Sequence, residues 1–294
     1  MDDFEYSTGT IRARDGLHLF YRLWNCAADG ARSIVLVHGL GEHSGRYVHV
    51  GRFFSEAGYR TIAFDLRGHG RSDGKAVFIK RYEELASDVE SVVTHFGEHD
   101  LFLFGHSMGG QLVLWTARHS TMKLSGVIAS APWLGLAQAP PFWQVILARM
   151  LNKCTPGIRF STNVDAENLS HDQAHLDSLE DLDLLHKFIT VRFYFESIKA
   201  AARILDDPVI NFPVLLAQGG DDRVTSRETV EAFFRKLQAP VKTLKTYPGL
   251  FHELHNETSR QEVMEYYLEW MNSVSPRSTS RNGSLAQEEG RHRS

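Results

Sequence analysis

What most constrains this chain is a repeated pattern. Short, uninterrupted apolar runs rich in β-branched residues alternate with stretches of helical period. The runs begin at Ser33, Thr61, Leu101 and Val214, with a weaker one at Leu124. A run that is apolar on both faces suits a central parallel strand covered above and below. Helical periodicity fills the intervals: about Arg46 to Ala57, stopping at Gly58; Tyr82 to Phe96, stopping at Gly97; and Met108 to His119. This alternation predicts an α/β fold with a mostly parallel central sheet and helices on both faces. The start of the chain differs. Two alternating runs between Thr10 and Trp24 flank Asp15-Gly16, a dipeptide that tolerates positive φ, and so predict a hairpin.

The alternation breaks after Pro132. From Trp133 to about Asp207 the text reads as helical and aromatic, with no β-run and one long helix from Leu184 to Leu205. An excursion of about 75 residues is too long for a simple crossover, so it reads as an inserted helical cap. Strand and helix signals then resume over 213–220, 226–237, 242–247 and 259–273. The expected organisation is a core over 1–131, a cap over 132–207, the rest of the core over 208–274 and a flexible tail over 275–294, a stretch with one large apolar residue, Leu285.

Composition excludes several classes. With 43% hydrophobic and 23% charged residues the chain is globular, of one large domain or two average ones. The 32 basic and 36 acidic residues leave a net charge of −4, which gives no electrostatic pull toward nucleic acid. The apolar stretches are broken too often for a transmembrane span, and the opening residues lack the basic and apolar regions of a secretory signal. Cys26 and Cys154 are too few and too far apart for a disulfide framework, a redox pair or a cysteine zinc site. A reducing cytoplasm fits them best. No HExxH pattern occurs, and no metal or cofactor is expected.

The sharpest chemical signal is Gly105-His106-Ser107-Met108-Gly109, followed by Gly110. It fits G-x-S-x-G and lies where a strand should turn into a helix, as a nucleophile elbow requires. The turn is so tight that side chains beside the serine would clash, and its strain pushes the hydroxyl out at the carboxyl edge of the sheet. A serine hydroxyl needs a base, and in this arrangement the acid and then the histidine follow it in the chain. His252 follows the last predicted strand and is the expected base, with His255 as rival. The acid should follow the Val214 run, where Asp221 and Asp222 stand together; one of them should face the histidine. The oxyanion hole should use the backbone N–H of Leu40, in the turn ending the Ser33 run, and that of Met108.

Five stretches carry a family resemblance: HGLGEHSGRY (38–47), DLRGHGRSDG (65–74), GHSMGG (105–110), QGGDDRV (218–224) and YPGLFHELHNE (247–257). Together they resemble the monoacylglycerol lipase family of α/β hydrolases, a group that also includes lysophospholipase-like enzymes. The resemblance implies the α/β-hydrolase fold. It also implies hydrolysis of single-chain lipid esters through an acyl-enzyme, without a cofactor. It selects Asp222 over Asp221 and agrees on Ser107 and His252. It further implies a polar head-group pocket of Glu42, Arg46 and His255. A broader carboxylesterase or lysophospholipase is the alternative, and a catalytically silent binding protein on the same fold a remoter one. In the cap, Trp133, Leu134, Leu136, Phe142, Trp143, Ile146, Leu147 and Met150 offer apolar surface for an acyl tunnel or peripheral membrane contact, or for ordinary packing.

Overall fold

The computed structural model describes residues 6–26, 32–97, 100–119, 121–162, 164–179 and 181–275. Of the tail expected to be flexible, 276–294 lies outside the described residues. The chain opens with the hairpin β1 (Ser7–Arg12) and β2 (His18–Trp24), closed by a turn in which Gly16 takes φ +96°. There follow β3 (Ser33–Val37), α1 (Val48–Glu56), β4 (Arg60–Phe64), α2 (Glu83–Phe96), β5 (Leu101–His106), α3 (Met108–His119) and β6 (Leu124–Ser130). After the excursion come β9 (Val214–Gly219), α7 (Arg227–Lys236), β10 (Lys242–Tyr247) and α8 (Arg260–Val274). The excursion itself carries α4 (Phe142–Cys154), β7 (Arg159–Ser161), α5 (Gln173–Asp177), β8 (Phe188–Thr190) and α6 (Val191–Asp206).

Eight strands form one sheet in the order β1-β2-β4-β3-β5-β6-β9-β10. From β4 to β10 every pairing is parallel, and β2 runs antiparallel to both its neighbours. The uninterrupted runs are the fully buried strands β3, β5 and β9. Their side chains alternate between two cores. Ile34 and Leu36 meet α1 and α8 on one face, while Val35 and Val37 join the core of α2, α3 and α7 on the other. The chain steps from β3 outward to β4 and then returns to lay β5 on the other side of β3. This reversal sets the loops after β3 and β5 at the carboxyl edge, the position where ligands bind in open α/β sheets.

The excursion departs from expectation in two ways. It contains a two-stranded antiparallel ribbon, β7 with β8, too short to leave a period-2 pattern in sequence. The helix expected from Leu184 begins at Val191, because Thr190 is extended (φ −82°, ψ 152°) and its hydroxyl accepts the N–H of Phe193. That same hydroxyl donates to the carbonyl of Val77 at 2.6 Å, pinning the start of α6 to the core. Thr190→Val keeps the shape but removes both bonds in a buried site. It should lower unfolding free energy by about 1–3 kcal/mol in urea titrations; a variant as stable as the parent would show that neither bond matters.

Candidate active site

Ser107 follows β5 directly and opens into α3, with φ +54°. The strain is fixed from three sides. The Ser107 N–H donates to Ser130 O at 2.9 Å, and its carbonyl accepts from Gln111 N at 3.0 Å and Trp133 N at 2.9 Å. The flanking glycines are sterically required. A Cβ at Gly105 would lie 2.2 Å from the carbonyl oxygen of Gly109, and one at Gly109 would lie 2.2 Å from that of Val37.

The structure separates the two aspartates. Asp221 is exposed, whereas the Asp222 side chain is fully buried and accepts a hydrogen bond from His252 Nδ1 at 2.9 Å. Four further donors hold the carboxylate: Val224 N and Thr225 N on Oδ1, and the Thr225 hydroxyl and Gln218 Nε2 on Oδ2. Burial pushes the Asp222 carboxyl up, but the adjacent His252 ring and these donors outweigh it and hold it well below the usual carboxylate range. Burial likewise pushes His252 down, yet the Asp222 charge and hydrogen bond raise it overall. With Nδ1 donating to Asp222, Nε2 is the nitrogen available to take a proton. The His252 ring packs 4.6 Å, centroid to centroid, from His106, the residue before Ser107.

His255, the rival base, lies in the same cluster but has no carboxylate. Its ring is fully buried, stacks 4.8 Å from Tyr47, and has no hydrogen-bond partner on either nitrogen among the described residues. Burial pushes it far below the ordinary histidine range, and the neighbouring His106 and His49 push the same way.

Leu40 sits in the loop after β3, between two fixed peptides. The Gly39 N–H is held by Glu42 Oε1, and the Gly41 carbonyl accepts from His186 N at 2.7 Å. His38 closes the same turn: its Nε2 accepts from Leu66 N at 2.9 Å, so its proton sits on Nδ1, which donates to Gly39 O at 2.7 Å. Met108 opens α3, one residue past the serine, and its side chain is buried.

The three residues expected to form a head-group pocket do gather, but not as an open pocket. Glu42, Arg46 and His255 are all buried. Glu42 accepts from Gly39 N, the Tyr47 hydroxyl (2.9 Å) and Arg46 Nη1 (2.9 Å), so protein donors already fill the contacts a glycerol was expected to make. The reason is a residue the sequence reading passed over. Glu253, next to the base, takes both Nη atoms of Arg46 at 2.8 Å each and draws the guanidinium inward. A charged residue beside His252 in the otherwise apolar 249–254 stretch is the signal that could have flagged it. Gln218 and Thr225, which hold Asp222, were given no role: Gln218 opens the QGGDDRV stretch but is a neutral residue within a strand, and Thr225 follows that stretch with no distinctive pattern.

A family model described as serine aminopeptidase, S33 matches residues 29–259. The rat (Rattus norvegicus) monoglyceride lipase is 30% identical over 250 residues, covering 83% of this chain and 82% of that one. The chain belongs to this family of α/β hydrolases, in its monoacylglycerol lipase-like branch. The crystal structure of the Paleococcus ferrophilus monoacylglycerol lipase superposes with a TM-score of 0.77 at 31% identity, covering 92% of this chain and all of that one. An abhydrolase domain-containing protein of Dictyostelium discoideum is 29% identical over 270 residues; the match covers 90% of this chain and 29% of that longer protein. The chain is thus an enzyme, a serine hydrolase of the carboxylic ester class. Among the described residues no group of three or more His, Cys, Asp or Glu side chains is placed to hold a metal ion.

The two aspartates give a direct test. Asp222→Asn should cut kcat on a p-nitrophenyl ester by about 10³–10⁴-fold, because the imidazole loses its fixed tautomer, while Asp221→Asn stays within about twofold. The base must be neutral to work, so wild-type kcat/KM should fall as pH drops through a midpoint above 6.5, the ordinary histidine value. In Asp222→Asn the residual activity should titrate at lower pH, since the carboxylate that raises His252 is gone. Equal, small losses for the two variants would overturn the assignment of the acid.

Proposed function

We propose that this enzyme hydrolyses monoacylglycerols and similar single-chain lipid esters to a fatty acid and an alcohol. The observation that carries the reading is the buried Asp222–His252 pair packed against His106, the residue that precedes a serine in a strained strand-to-helix turn. Ser107 Oγ attacks the ester carbonyl as His252 Nε2 takes its proton. The oxyanion that forms meets the N–H groups of Leu40 and Met108. The C–O bond to the alcohol then breaks and His252 protonates the leaving oxygen, giving the acyl-enzyme. Water, activated by the same imidazole, attacks the acyl carbon and releases the acid and the free serine. Asp222 remains ionised throughout, holding Nδ1–H and balancing the imidazolium.

Residues 132–207 act in this reading as a cap over the site. Trp133 and Leu134 are buried in the core and Leu136 is half-buried, so the apolar surface is narrower than the sequence suggested. It is concentrated on α4, where Phe142 is 77% exposed, Trp143 56%, Ile146 55%, Leu147 49% and Met150 65%. A surface of this kind on one helix suits docking on a lipid interface, where the substrate resides. None of the described helices is long and apolar enough to cross a membrane, so contact of this sort is peripheral.

The decisive measurement is a panel of monoacyl, diacyl and triacyl glycerols, lysophospholipid, short p-nitrophenyl esters and an amino-acid amide. The expected result is the highest kcat/KM on monoacylglycerol, loss of about 10⁴-fold or more in kcat for Ser107→Ala, and fluorophosphonate labelling of the parent alone. A lysophospholipid or short-ester optimum would shift the assignment to the broader esterases, and absence of labelling would point to a silent binding protein. For the lipid contact, liposome flotation should fall at least several-fold in a Phe142→Ser, Trp143→Ser double variant; identical partitioning of two folded proteins would remove the membrane role.

A further inference from the structure

Glu253 directly follows the base and is fully buried, yet it makes no contact with the acid. Its carboxylate grips Arg46 with two bonds of 2.8 Å, and Arg46 Nη1 also donates to Glu42 Oε2 at 2.9 Å. The other oxygen of Glu42 holds the Gly39 N–H, one peptide before Leu40. A continuous path of charge-assisted bonds therefore joins the loop that offers the oxyanion amide to the loop that carries the base. Each end is tied again from outside: Gly41 O to His186 N at 2.7 Å, and Glu253 N to Leu169 O at 2.7 Å. Two carboxylates share one guanidinium: burial and the neighbouring Glu253 push the Glu42 carboxyl above its usual range, while Arg46 holds Glu253 down at about 2, so the negative charge near His252 lies chiefly on Glu253. A buried ionic group of this kind gains little stability over apolar residues of equal volume, so stability does not account for it.

We propose that Glu42, Arg46 and Glu253 are positioning residues, an ionic tie that sets the oxyanion amide and the His252 ring at a fixed separation and places a negative field under the base. The proposal rests on the hydrolytic reading above and replaces the head-group role for Glu42 and Arg46. It has a physical rationale in catalysis. Both loops must meet one tetrahedral centre, and misplacement of either by about 1 Å can cost on the order of 10²-fold in rate. The charged and titratable groups facing His252 are Asp222 from the loop after β9, His106 from β5, Glu42 and Arg46 from the loop after β3, and Glu253 and His255 from its own loop. Of these, the carboxylates of Asp222, Glu253 and Glu42 favour the imidazolium, and the two neutral histidines do not.

The test combines kinetics with a proton titration that needs no substrate. Glu253→Gln keeps size and one hydrogen bond to Arg46 but removes the charge. It should lower kcat about 10-fold or more on both monoacylglycerol and a p-nitrophenyl ester of the same chain, with KM within about twofold. The His252 ring, followed by NMR, should titrate about 0.5 pH units or more below the parent. Arg46→Lys keeps the charge and loses the fork, so kcat should fall while the His252 titration stays near that of the parent. Parental kcat and titration in a folded Glu253→Gln variant would overturn the tie, as would a loss confined to the glycerol ester. If the parent hydrolyses no ester, the functional reading fails instead, and the His252 titration still decides whether the tie acts on the base.

Discussion

The elbow at Ser107 depends on backbone contact where no side chain fits. β5 and α3 approach so closely that the carbonyl of Gly109 lies where a Cβ of Gly105 would be, and the carbonyl of Val37 where one of Gly109 would be. This packing draws three strand ends together. β3 abuts the start of α3 through Gly109, β6 supplies Ser130 O to the serine amide, and the chain leaving β6 supplies Trp133 N to its carbonyl. The strain at φ +54° costs on the order of 1–3 kcal/mol and persists because neighbours on every side determine it. The loop that carries Leu40 leaves β3 next to that contact, and a Cβ at Gly39 in it would lie 3.3 Å from the Cβ of Ser107.

The position of this turn follows from topology. In a sheet whose order reverses between β3 and β5, helices diverge at the carboxyl edge and leave a crevice there. The loops after β3 and β5 lie at that edge, and the loops after β9 and β10 bring Asp222 and His252 together at the same edge. The meeting of four loops spread over more than two hundred residues is thus a consequence of strand order, with the rigid strands setting the separations.

Much of this was legible in the residues. Runs apolar on both faces marked β3, β5 and β9, because a central parallel strand leaves no polar face, and the G-x-S-x-G turn is visible because only glycine satisfies its geometry. Elements stabilised by partners distant in sequence were not legible. The ribbon of β7 and β8 is three residues per strand, shorter than any periodicity can reveal. The start of α6 at Val191 is set by the Thr190 hydroxyl and by Val77, which lies over a hundred residues earlier. The ion pairing of Arg46 was not legible for the same reason: its partner Glu253 lies over two hundred residues away in sequence.

Histidines illustrate most clearly how partner, rather than residue type, assigns a role. His38, His69, His106, His252 and His255 are all buried, and burial alone drives each imidazole toward the neutral form. His106 is pushed down to about 3, and His69 and His255 well below the ordinary range, for want of a bonded carboxylate. His38 spends both nitrogens on backbone groups and works as a clasp between loops. His252 alone of the five bonds a carboxylate, itself fixed by four other donors, and it alone is raised. A base must accept a proton and then release it, so it needs a pKa near working pH, which burial without a counter-charge forbids. The neutral rings around it serve that end differently. They fill space against His252 without adding positive charge, so what raises this imidazole is Asp222 first and then the buried carboxylates of Glu253 and Glu42.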